Sequence, residues 1–342
     1  AGEAPFPGED HLPEYLRAVV RSGDLRATTD TAEAVSHSDV VVVVVPLFVD
    51  DEARPDFGWL DSATDDIARG LRPGTLVSYE TTLPVGTTLH NPALADTLEK
   101  LARQGAQAFY RGTDAQAMAD KIARDTPRTG GVTATDLASY EAKWRDPVCG
   151  TYRTYRICGM GPPSSGATTV LAILGQLEHL DLSQMRADSP VFWHVFAESQ
   201  RLAYADRERF LGDSDFISVP IAQLIDPAYL ARRGAAISTD KTLPNVAPGL
   251  DLAPPAGDGP PEKGTSHFVA IDRAGSIVSY TSTIEGPFGS GLMFGGLYLN
   301  NELTDFSFTP EKDGQPVANR VEGGKRPRSS MAPTIVYGPD GK

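Results

Sequence analysis

Cysteine, long apolar runs and positive charge are scarce in this sequence, and each scarcity excludes a class of protein. The only cysteines among the 342 residues, Cys149 and Cys158, can pair with each other but are too few for a disulfide framework or a zinc site. No apolar run approaches the roughly 18 residues that a membrane helix needs. The formal net charge of -14 argues against nucleic-acid binding, because an acidic chain repels phosphate groups.

What is present favours a globular protein with more than one domain. Apolar residues make up 40% of the chain and charged residues 22%, so a packed core is feasible. At roughly 150 residues per domain, the length suits two domains. The chain starts at Ala1 instead of Met, with no signal peptide before it, so we expect a processed or cut N-terminus.

The first 90 residues alternate between helical and strand patterns. Apolar spacing predicts helices over 9–22, 30–36 and 59–71, and a second short strand over 75–79. Six consecutive valines over 40–45 indicate a strand buried on both faces, as in a central parallel strand. This order predicts a partial Rossmann-like β-α-β segment, a framework that binds nucleotides at its strand ends.

Beyond residue 90 the pattern changes to longer helices and then to strands. We expect helices over 92–104, 114–124, 167–177 and 190–210, a strand pair over 150–160, and an exposed linker over 240–263. The apolar runs 266–272 and 276–284 predict a hairpin with a three-residue loop, whose Gly275 suits a left-handed backbone. If Asp272 faces Ser276, Thr265 lies opposite Thr283.

Thr265 is the candidate nucleophile, because it follows Gly264 where the predicted linker meets the hairpin. Autoproteolysis between these two residues would free the α-amine of Thr265, whose reference pKa of about 7.7–8.0 lets it accept the hydroxyl proton at neutral pH. A hydroxyl at Thr283 would then orient the amine or the nucleophile. The alternative is a structural threonine pair on a sheet, which is common.

Several motifs, in order, carry a family resemblance. The C-terminal ones are Thr265-Ser266-His267-Phe268, Thr283-Ile284-Glu285, Phe288-Gly289-Ser290-Gly291, Leu299-Asn300-Asn301-Glu302 with Asp305-Phe306-Ser307, and Lys325-Arg326-Pro327 with Ser329-Ser330-Met331. They resemble the small subunit of γ-glutamyltransferases (glutathione hydrolases). Residues 91–112, 130–144, 162–166 and 197–207 are similar to the large subunit of that family, so the resemblance covers about residues 91–342.

This resemblance implies an α/β fold of the N-terminal-nucleophile hydrolase type, with α/β/β/α layers that are incomplete here. The chain would cleave itself between Gly264 and Thr265, and Thr265 would transfer the γ-glutamyl group of glutathione or a similar compound to water, an amino acid or a peptide. Thr283 would contact the nucleophile. By resemblance, the residues that bind the amino-acid head of the substrate are Glu285, Glu302 and Asp305 near its ammonium group, and Ser329 and Ser330 at its carboxylate.

Other interpretations of the same residues stay open. In isolation, Glu302 and Asp305 fit a solvated loop, and the basic run of Lys325, Arg326 and Arg328 fits a solvated face. An acylase acting on a glutaryl side chain would share the nucleophile, although two carboxylates suit an ammonium group better. The family's oxyanion Gly-Gly pair would fall beyond Lys342, and its carboxylate-binding arginine has no counterpart here. A catalytically impaired fusion fragment is therefore an alternative expectation.

Residues 1–90 are similar to part of the NAD-binding domain of nucleotide-sugar (UDP-glucose/GDP-mannose) dehydrogenases. The similarity rests on residues 25–30, 39–46 and 80–88 and on Asp56. A dehydrogenase fragment is thus a further alternative, but no G-x-G-x-x-G motif opens the chain, so NAD is not expected as a cofactor.

Together these patterns define the expected organisation of the protein. We expect a dehydrogenase-like segment over 1–90, a large-subunit-like segment over 91–264 and a small-subunit-like segment over 265–342. We expect no cofactor, no metal, no nucleic acid and no membrane segment. The expected partners are the γ-glutamyl substrate, an acceptor and, for each cleaved piece, the other piece. The family resemblance implies a periplasmic or secreted protein.

Overall fold

Two units make up the chain, Ala1–His90 and Asn91–Lys342. The computed structural model describes residues 12–44, 48–49, 55–73, 75–79, 90–126, 131–186, 188–252, 257 and 264–341. The predicted segments around Val45, Pro46 and 80–88 therefore lie outside the described residues.

A parallel strand pair organises the first unit. Its elements are helices α1 (Leu12–Ser22), α2 (Thr31–Ser36) and α3 (Gly58–Gly70) and strands β1 (Val40–Val43), β2 (Phe48–Val49), β3 (Pro55–Asp56) and β4 (Leu76–Tyr79). Strands β1 and β4 run parallel with α3 between them in sequence, which confirms the predicted β-α-β segment. The Asp30 carboxylate caps α2 by accepting a hydrogen bond from Glu33 N at 2.9 Å.

The valine strand is buried on one face only, so the expectation of burial on both faces is wrong. Val43 is 4% exposed and packs with Val35 of α2 and Ile67 of α3. Val42, which points to the opposite face, is 48% exposed. Successive side chains of a strand alternate between its faces, and the described helices cover just one of them.

The second unit begins with helices and ends with strands. Its helices are α4 (Pro92–Gln104), α5 (Gln107–Tyr110), α6 (Gly112–Asp125), α7 (Ala134–Ser139), α8 (Gly166–Leu177), α9 (Pro190–Phe210), α10 (Ile221–Leu224) and α11 (Pro227–Gly234), with 3₁₀ turns at Leu182–Gln184 and Glu302–Asp305. Its strands are β5 (Val148–Tyr152), β6 (Tyr155–Gly159), β7 (Ser266–Ile271), β8 (Ile277–Ser282), β9 (Met293–Phe294), β10 (Leu297–Tyr298), β11 (Glu311–Lys312), β12 (Gln315–Pro316) and β13 (Thr334–Tyr337).

The core of this unit lies between α8, α9 and α11. Fully or nearly fully buried side chains from the three helices meet there, including Leu177, Val195, Leu202 and Leu230. The predicted helices over 167–177 and 190–210 are confirmed, with α8 starting one residue earlier. Its first residue must be glycine, because a Cβ on Gly166 would lie 2.3 Å from the Met331 carbonyl oxygen.

A three-stranded antiparallel sheet in the order β13-β6-β5 packs against α8. The cross-strand neighbours Cys149 and Cys158 form a disulfide between β5 and β6. On the other side of β6, Thr334 pairs with Gly159 and Tyr337 pairs with Arg156. This sheet therefore joins a strand from the last ten residues of the chain to strands nearly 200 residues earlier.

The segment expected to be an exposed linker is partly packed, which corrects that expectation for its described residues, 240–252 and 257. Leu243, Val246 and Leu250 contact the core between α8, α9 and α11. Backbone amides of this segment also reach carboxylates on α9: Leu243 N donates to Glu198 at 2.8 Å, and Gly249 N donates to Asp206 at 2.7 Å. Non-local partners on α9 thus hold a stretch that has no periodicity of its own.

Strands β7 and β8 form the predicted hairpin in the predicted register. Asp272 N donates to Ser276 O at 3.0 Å, and Gly275 has the expected left-handed backbone with φ of 88°. The first strand is exposed along its length although its sequence is apolar, since Phe268 is 55% and Ile271 68% exposed. Within the described residues each hairpin strand pairs with the other alone.

None of the helices that the structure describes is long and apolar enough to cross a membrane.

We predict that Asp206→Ala lowers the free energy of unfolding by about 3 kcal/mol, because it breaks a buried polar network. Asp206 is 4% exposed and accepts hydrogen bonds from Tyr229 Oη at 2.6 Å and from Gly249 N. Burial and, to a smaller extent, the hydrogen bond to Asp206 raise the pKa of Tyr229, so the phenol stays protonated and donates. Urea unfolding measures the change.

The matched control is Asp188→Ala, because Asp188 forms an exposed ion pair with Arg186. Its effect should stay under about 0.5 kcal/mol. Equal effects of the two substitutions would show that the Asp206 network does not hold the 240–252 segment.

Candidate active site

The start of the β7–β8 hairpin brings Gly264, Thr265 and Thr283 together. The hairpin register, extended by one residue, places Thr265 opposite Thr283. Thr283 Oγ1 donates to the Gly264 carbonyl oxygen at 2.8 Å and accepts from Glu285 N at 2.8 Å. Gly264 has φ of 66°, and a Cβ there would lie 2.9 Å from the Glu285 carbonyl oxygen. The residue before Thr265 is therefore required to be glycine.

Glu285 links the hairpin to the loop that carries Glu302. Its backbone is left-handed, with φ of 68°, and the residue is buried. Its carboxylate accepts a hydrogen bond from Asn301 Nδ2. Oδ1 of the same Asn301 side chain accepts a hydrogen bond from Gly286 N at 2.9 Å. Asn301 was not among the predicted site residues, although it lies within the quoted motif.

Glu302 and Asp305 lie at the two ends of one 3₁₀ turn. Asp305 is 8% exposed, whereas Glu302 is half-buried. Such burial does not fit the alternative in which both carboxylates belong to a solvated loop. The backbone carbonyl of Asp305 accepts from Asn319 Nδ2 at 2.7 Å. No motif marked Asn319, so sequence reasoning missed this contact.

Ser329 and Ser330 lie beside the start of α8. Ser329 O accepts hydrogen bonds from Ser165 N at 2.7 Å and from Ser165 Oγ at 2.9 Å. The guanidinium of Arg207, on α9, donates to Ser165 Oγ at 2.8 Å and to Ser330 Oγ at 2.6 Å. Arg207 is 4% exposed, so this link is screened from water. Since Ser330 Oγ accepts from Arg207, its own hydroxyl hydrogen can still donate.

The basic run before these serines is largely buried, so its interpretation as a solvated face is wrong. Lys325 is 7% exposed and donates to Ala318 O at 2.8 Å, and burial lowers the pKa of its ammonium group. Arg328 is 2% exposed and donates to Glu208 at 2.7 Å. Partners on α9 and in the 318–319 turn stabilise these charges, which sequence spacing alone would place in solvent.

The residues of the hairpin start line a cleft of about 500 Å³, and its shape leaves Thr265 accessible. Its lining residues are Gly264, Thr265, Ser266, Ser282, Thr283, Ile284, Gly286 and Pro287. Of the residues predicted for the site, Thr283 and Glu285 are joined by a direct hydrogen bond, and Thr265 lies opposite Thr283 in the extended hairpin register. Asn319 connects the serine pair to Asp305, because its side-chain amide bonds the Asp305 carbonyl oxygen and the backbone amide of Arg328, which precedes Ser329. No group of three or more metal-ligating side chains occurs among the described residues.

The predicted head-group residues Glu285, Glu302, Asp305, Ser329 and Ser330 are not among the described residues that line this cleft. The family model described as gamma-glutamyltranspeptidase matches residues 74–342. The chain belongs to the gamma-glutamyltranspeptidase family. A second model, for the NAD-binding domain of the UDP-glucose/GDP-mannose dehydrogenase family, matches residues 2–110.

Relatives of this gamma-glutamyltranspeptidase family member include two bacterial enzymes. This chain is 38% identical over 273 residues to the glutathione hydrolase proenzyme of Escherichia coli (strain K12). The alignment covers 76% of this chain and 45% of the relative. It is 36% identical over 278 residues to the glutathione hydrolase proenzyme of Bacillus subtilis (strain 168), covering 75% of this chain and 45% of the relative. The chain thus spans about half the length of these curated relatives.

The fold is that of N-terminal-nucleophile hydrolases, as expected. The crystal structure of a cephalosporin acylase from Bacillus halodurans superposes with a TM-score of 0.59 at 22% identity, covering 97% of this chain and 51% of the acylase. At this identity the match establishes the fold alone.

We predict that Ser165→Ala lowers the free energy of unfolding by about 2 kcal/mol, because it leaves the buried Arg207 Nε without its acceptor and removes one bond to Ser329 O. Chemical denaturation measures it. Ser139→Ala is the control, since the Ser139 hydroxyl bonds Asp136 O on an exposed helix end. A loss at Ser165 no larger than that at Ser139 would show that the buried link is not stabilising.

Proposed function

We propose that this protein cleaves itself between Gly264 and Thr265 and then hydrolyses or transfers γ-glutamyl groups with Thr265 as the nucleophile. The observation that carries the proposal is the hydrogen bond from Thr283 Oγ1 to the Gly264 carbonyl oxygen at 2.8 Å. This carbonyl belongs to the peptide bond that self-cleavage must break. A donor on its oxygen supports attack, because it stabilises the negative charge that develops there.

In self-cleavage, Thr265 Oγ1 attacks the Gly264 carbonyl carbon and loses its proton, and the C–N bond to Thr265 breaks. The nitrogen takes up a proton and becomes a free α-amine, while Gly264 is held as an ester on Oγ1. Water then hydrolyses the ester, leaving a carboxylate on Gly264 and a hydroxyl on Thr265. The proenzyme names of the bacterial relatives support a maturation of this kind.

In turnover, the free amine of Thr265 accepts the proton of its own hydroxyl as Oγ1 attacks the γ-carbonyl carbon of the substrate. The bond to the leaving amine breaks, and that amine carries the proton away. Water or the amine of an acceptor then attacks the γ-glutamyl ester and restores the hydroxyl. This chemistry balances without a cofactor or a metal, so none is proposed.

The charges of the residues predicted to bind substrate suit the head of a γ-glutamyl group. The carboxylates of Glu302 and Asp305 would attract the α-ammonium group, and the hydroxyls of Ser329 and Ser330 would donate to the α-carboxylate. The Arg207 contact supports this role of Ser330, because it occupies an oxygen lone pair and leaves the hydroxyl hydrogen for the substrate.

The two pieces produced by cleavage would stay associated. Strand β13, from the C-terminal piece, pairs with β6 of the N-terminal piece over four residues. Ser329 adds backbone and side-chain bonds to residues 163–165, and Thr97 Oγ1 donates to Gly295 O at 2.8 Å. The Cys149–Cys158 disulfide supports the expected periplasmic or secreted location, since such bonds persist in oxidising compartments.

We predict that the purified wild-type protein separates under denaturing conditions into two pieces, the smaller of which begins at Thr265, whereas Thr265→Ala stays a single species of 36.5 kDa. Intact mass spectrometry reads this directly. Hydrolysis of γ-glutamyl-p-nitroanilide by Thr265→Ala should fall at least about 10³-fold, because both nucleophile and base are lost.

The control is Thr239→Ala, since Thr239 is an exposed threonine outside the site. It should cleave and hydrolyse like the wild type. A single uncleaved wild-type species without activity would favour the impaired-fragment alternative, and equal anilide hydrolysis by Thr265→Ala would reject Thr265 as the nucleophile.

We further predict that Asp305→Asn lowers kcat/KM for γ-glutamyl-p-nitroanilide by about 10–100-fold, because one charged partner of the α-ammonium group is removed. Glutaryl-p-nitroanilide lacks that ammonium group, so its much slower hydrolysis should change by less than about twofold. A wild type that prefers the glutaryl compound would favour the acylase alternative instead.

A further inference from the structure

The two halves of the proposed head-group site come from separate stretches of chain, and one buried side chain spans them. Asn319 is 1% exposed, and its amide bonds the backbone beside each half. We infer that Asn319 is a positioning residue that sets the spacing between the ammonium-binding carboxylate of Asp305 and the carboxylate-binding serine pair. This inference rests on the proposed function, because it takes the head-group roles of those residues from it.

The contacts of Asn319 leave no freedom in how its amide is placed. Nδ2 donates to the Asp305 carbonyl oxygen at 2.7 Å, and Oδ1 accepts from Arg328 N at 2.9 Å. The first partner can only accept and the second can only donate, so the orientation of the amide is determined by chemistry. The Asn319 backbone carbonyl also accepts from Ser307 N at 2.9 Å, which fixes its own position.

Both partners of the amide are immediate neighbours of proposed substrate-binding groups. One is the main chain of Asp305 itself, and the other is the residue that directly precedes Ser329. Arg328 is anchored in turn, since its guanidinium donates to Glu208 and to the Arg207 carbonyl oxygen. A shift of the Asn319 amide would therefore change the distance between the two halves without changing the chemistry of either.

Spacing matters only to a ligand that contacts both halves at once. An amino-acid head carries its ammonium group and carboxylate on a single carbon, so it contacts both halves only when their separation is right. A ligand that carries only one of the two groups binds to the matching half alone, whatever the separation of the halves. Loss of the Asn319 link should accordingly weaken two-headed ligands selectively.

The test compares the binding of three ligands to the purified protein by calorimetric titration. L-glutamate carries both head groups, glutarate lacks the ammonium group, and 4-aminobutyrate lacks the α-carboxylate. Asn319→Asp keeps the acceptor for Arg328 N but replaces the donor to Asp305 O with a repelling oxygen. We expect its affinity for L-glutamate to fall about tenfold, and its affinity for the other two ligands to change by less than about twofold.

Gln176→Glu is the matched control, because Gln176 is another fully buried amide whose oxygen accepts from Ser199 Oγ, at a place remote from the serine pair. It should leave the ratio of the three affinities unchanged. Asn319→Gln is a second variant for the case in which Asn319→Asp does not fold. It keeps the donor and the acceptor of the side-chain amide but adds a methylene, and it should show the same selective loss of affinity for L-glutamate.

The outcomes separate this inference from the proposed function. Equal weakening of all three ligands, or an unchanged affinity for L-glutamate, overturns the positioning role while the head-group assignments stand. A wild-type protein that binds L-glutamate no better than the single-headed ligands overturns those assignments and, with them, the role of Asn319.

Discussion

The buried guanidinium of Arg207 is the interaction on which the arrangement of the site depends. A cation that is 4% exposed must find partners for its charge and its donors, and Arg207 finds them in Glu208 at 2.6 Å and in the hydroxyls of Ser165 and Ser330. Ser165 directly precedes α8, and Ser330 lies shortly before β13. The Arg207 side chain therefore joins α9 to the start of α8 and to the segment that leads into β13. The position of Ser329 and Ser330 therefore depends on the position of the Arg207 guanidinium.

A site assembled in this way tolerates a break in the chain at Gly264. The bonds that hold β13, the serine pair and the α8 start are all made between residues on opposite sides of that peptide, and none of them uses the peptide itself. Cleavage would therefore free the Thr265 amine without separating strand β13 from β6. The described part of the preceding segment is also bonded to α9 as far as Gly257, through Glu198, Asp206, Arg209 and the Glu208 carbonyl oxygen.

The sequence predicted best what local chemistry determines. Asp272 and Gly275 specify the turn, the turn specifies the register, and the register brings Thr265 opposite Thr283. Sequence reasoning failed where the burial of a residue depends on a partner distant in sequence. The burial of Arg328 and the packing of Leu243 depend on groups far away in sequence, and so does the single covered face of the valine strand. No motif marked Asn319, and Arg207 lay within the quoted segment 197–207 without a role being predicted for it.

Glu285 shows how the resemblance and the geometry combine. The resemblance locates this residue near the amino-acid head of the substrate, and the geometry shows its carboxylate accepting from the amide of Asn301, the neighbour of Glu302. Its left-handed backbone, unusual for a residue with a side chain, is held by Thr283 Oγ1 on its amide. The Thr283 hydroxyl, opposite the proposed nucleophile, and the loop that would receive the ammonium group are thus joined through Glu285. A change at Glu285 would act on both, because the same turn sets the direction of the Thr283 hydroxyl and the place of the loop.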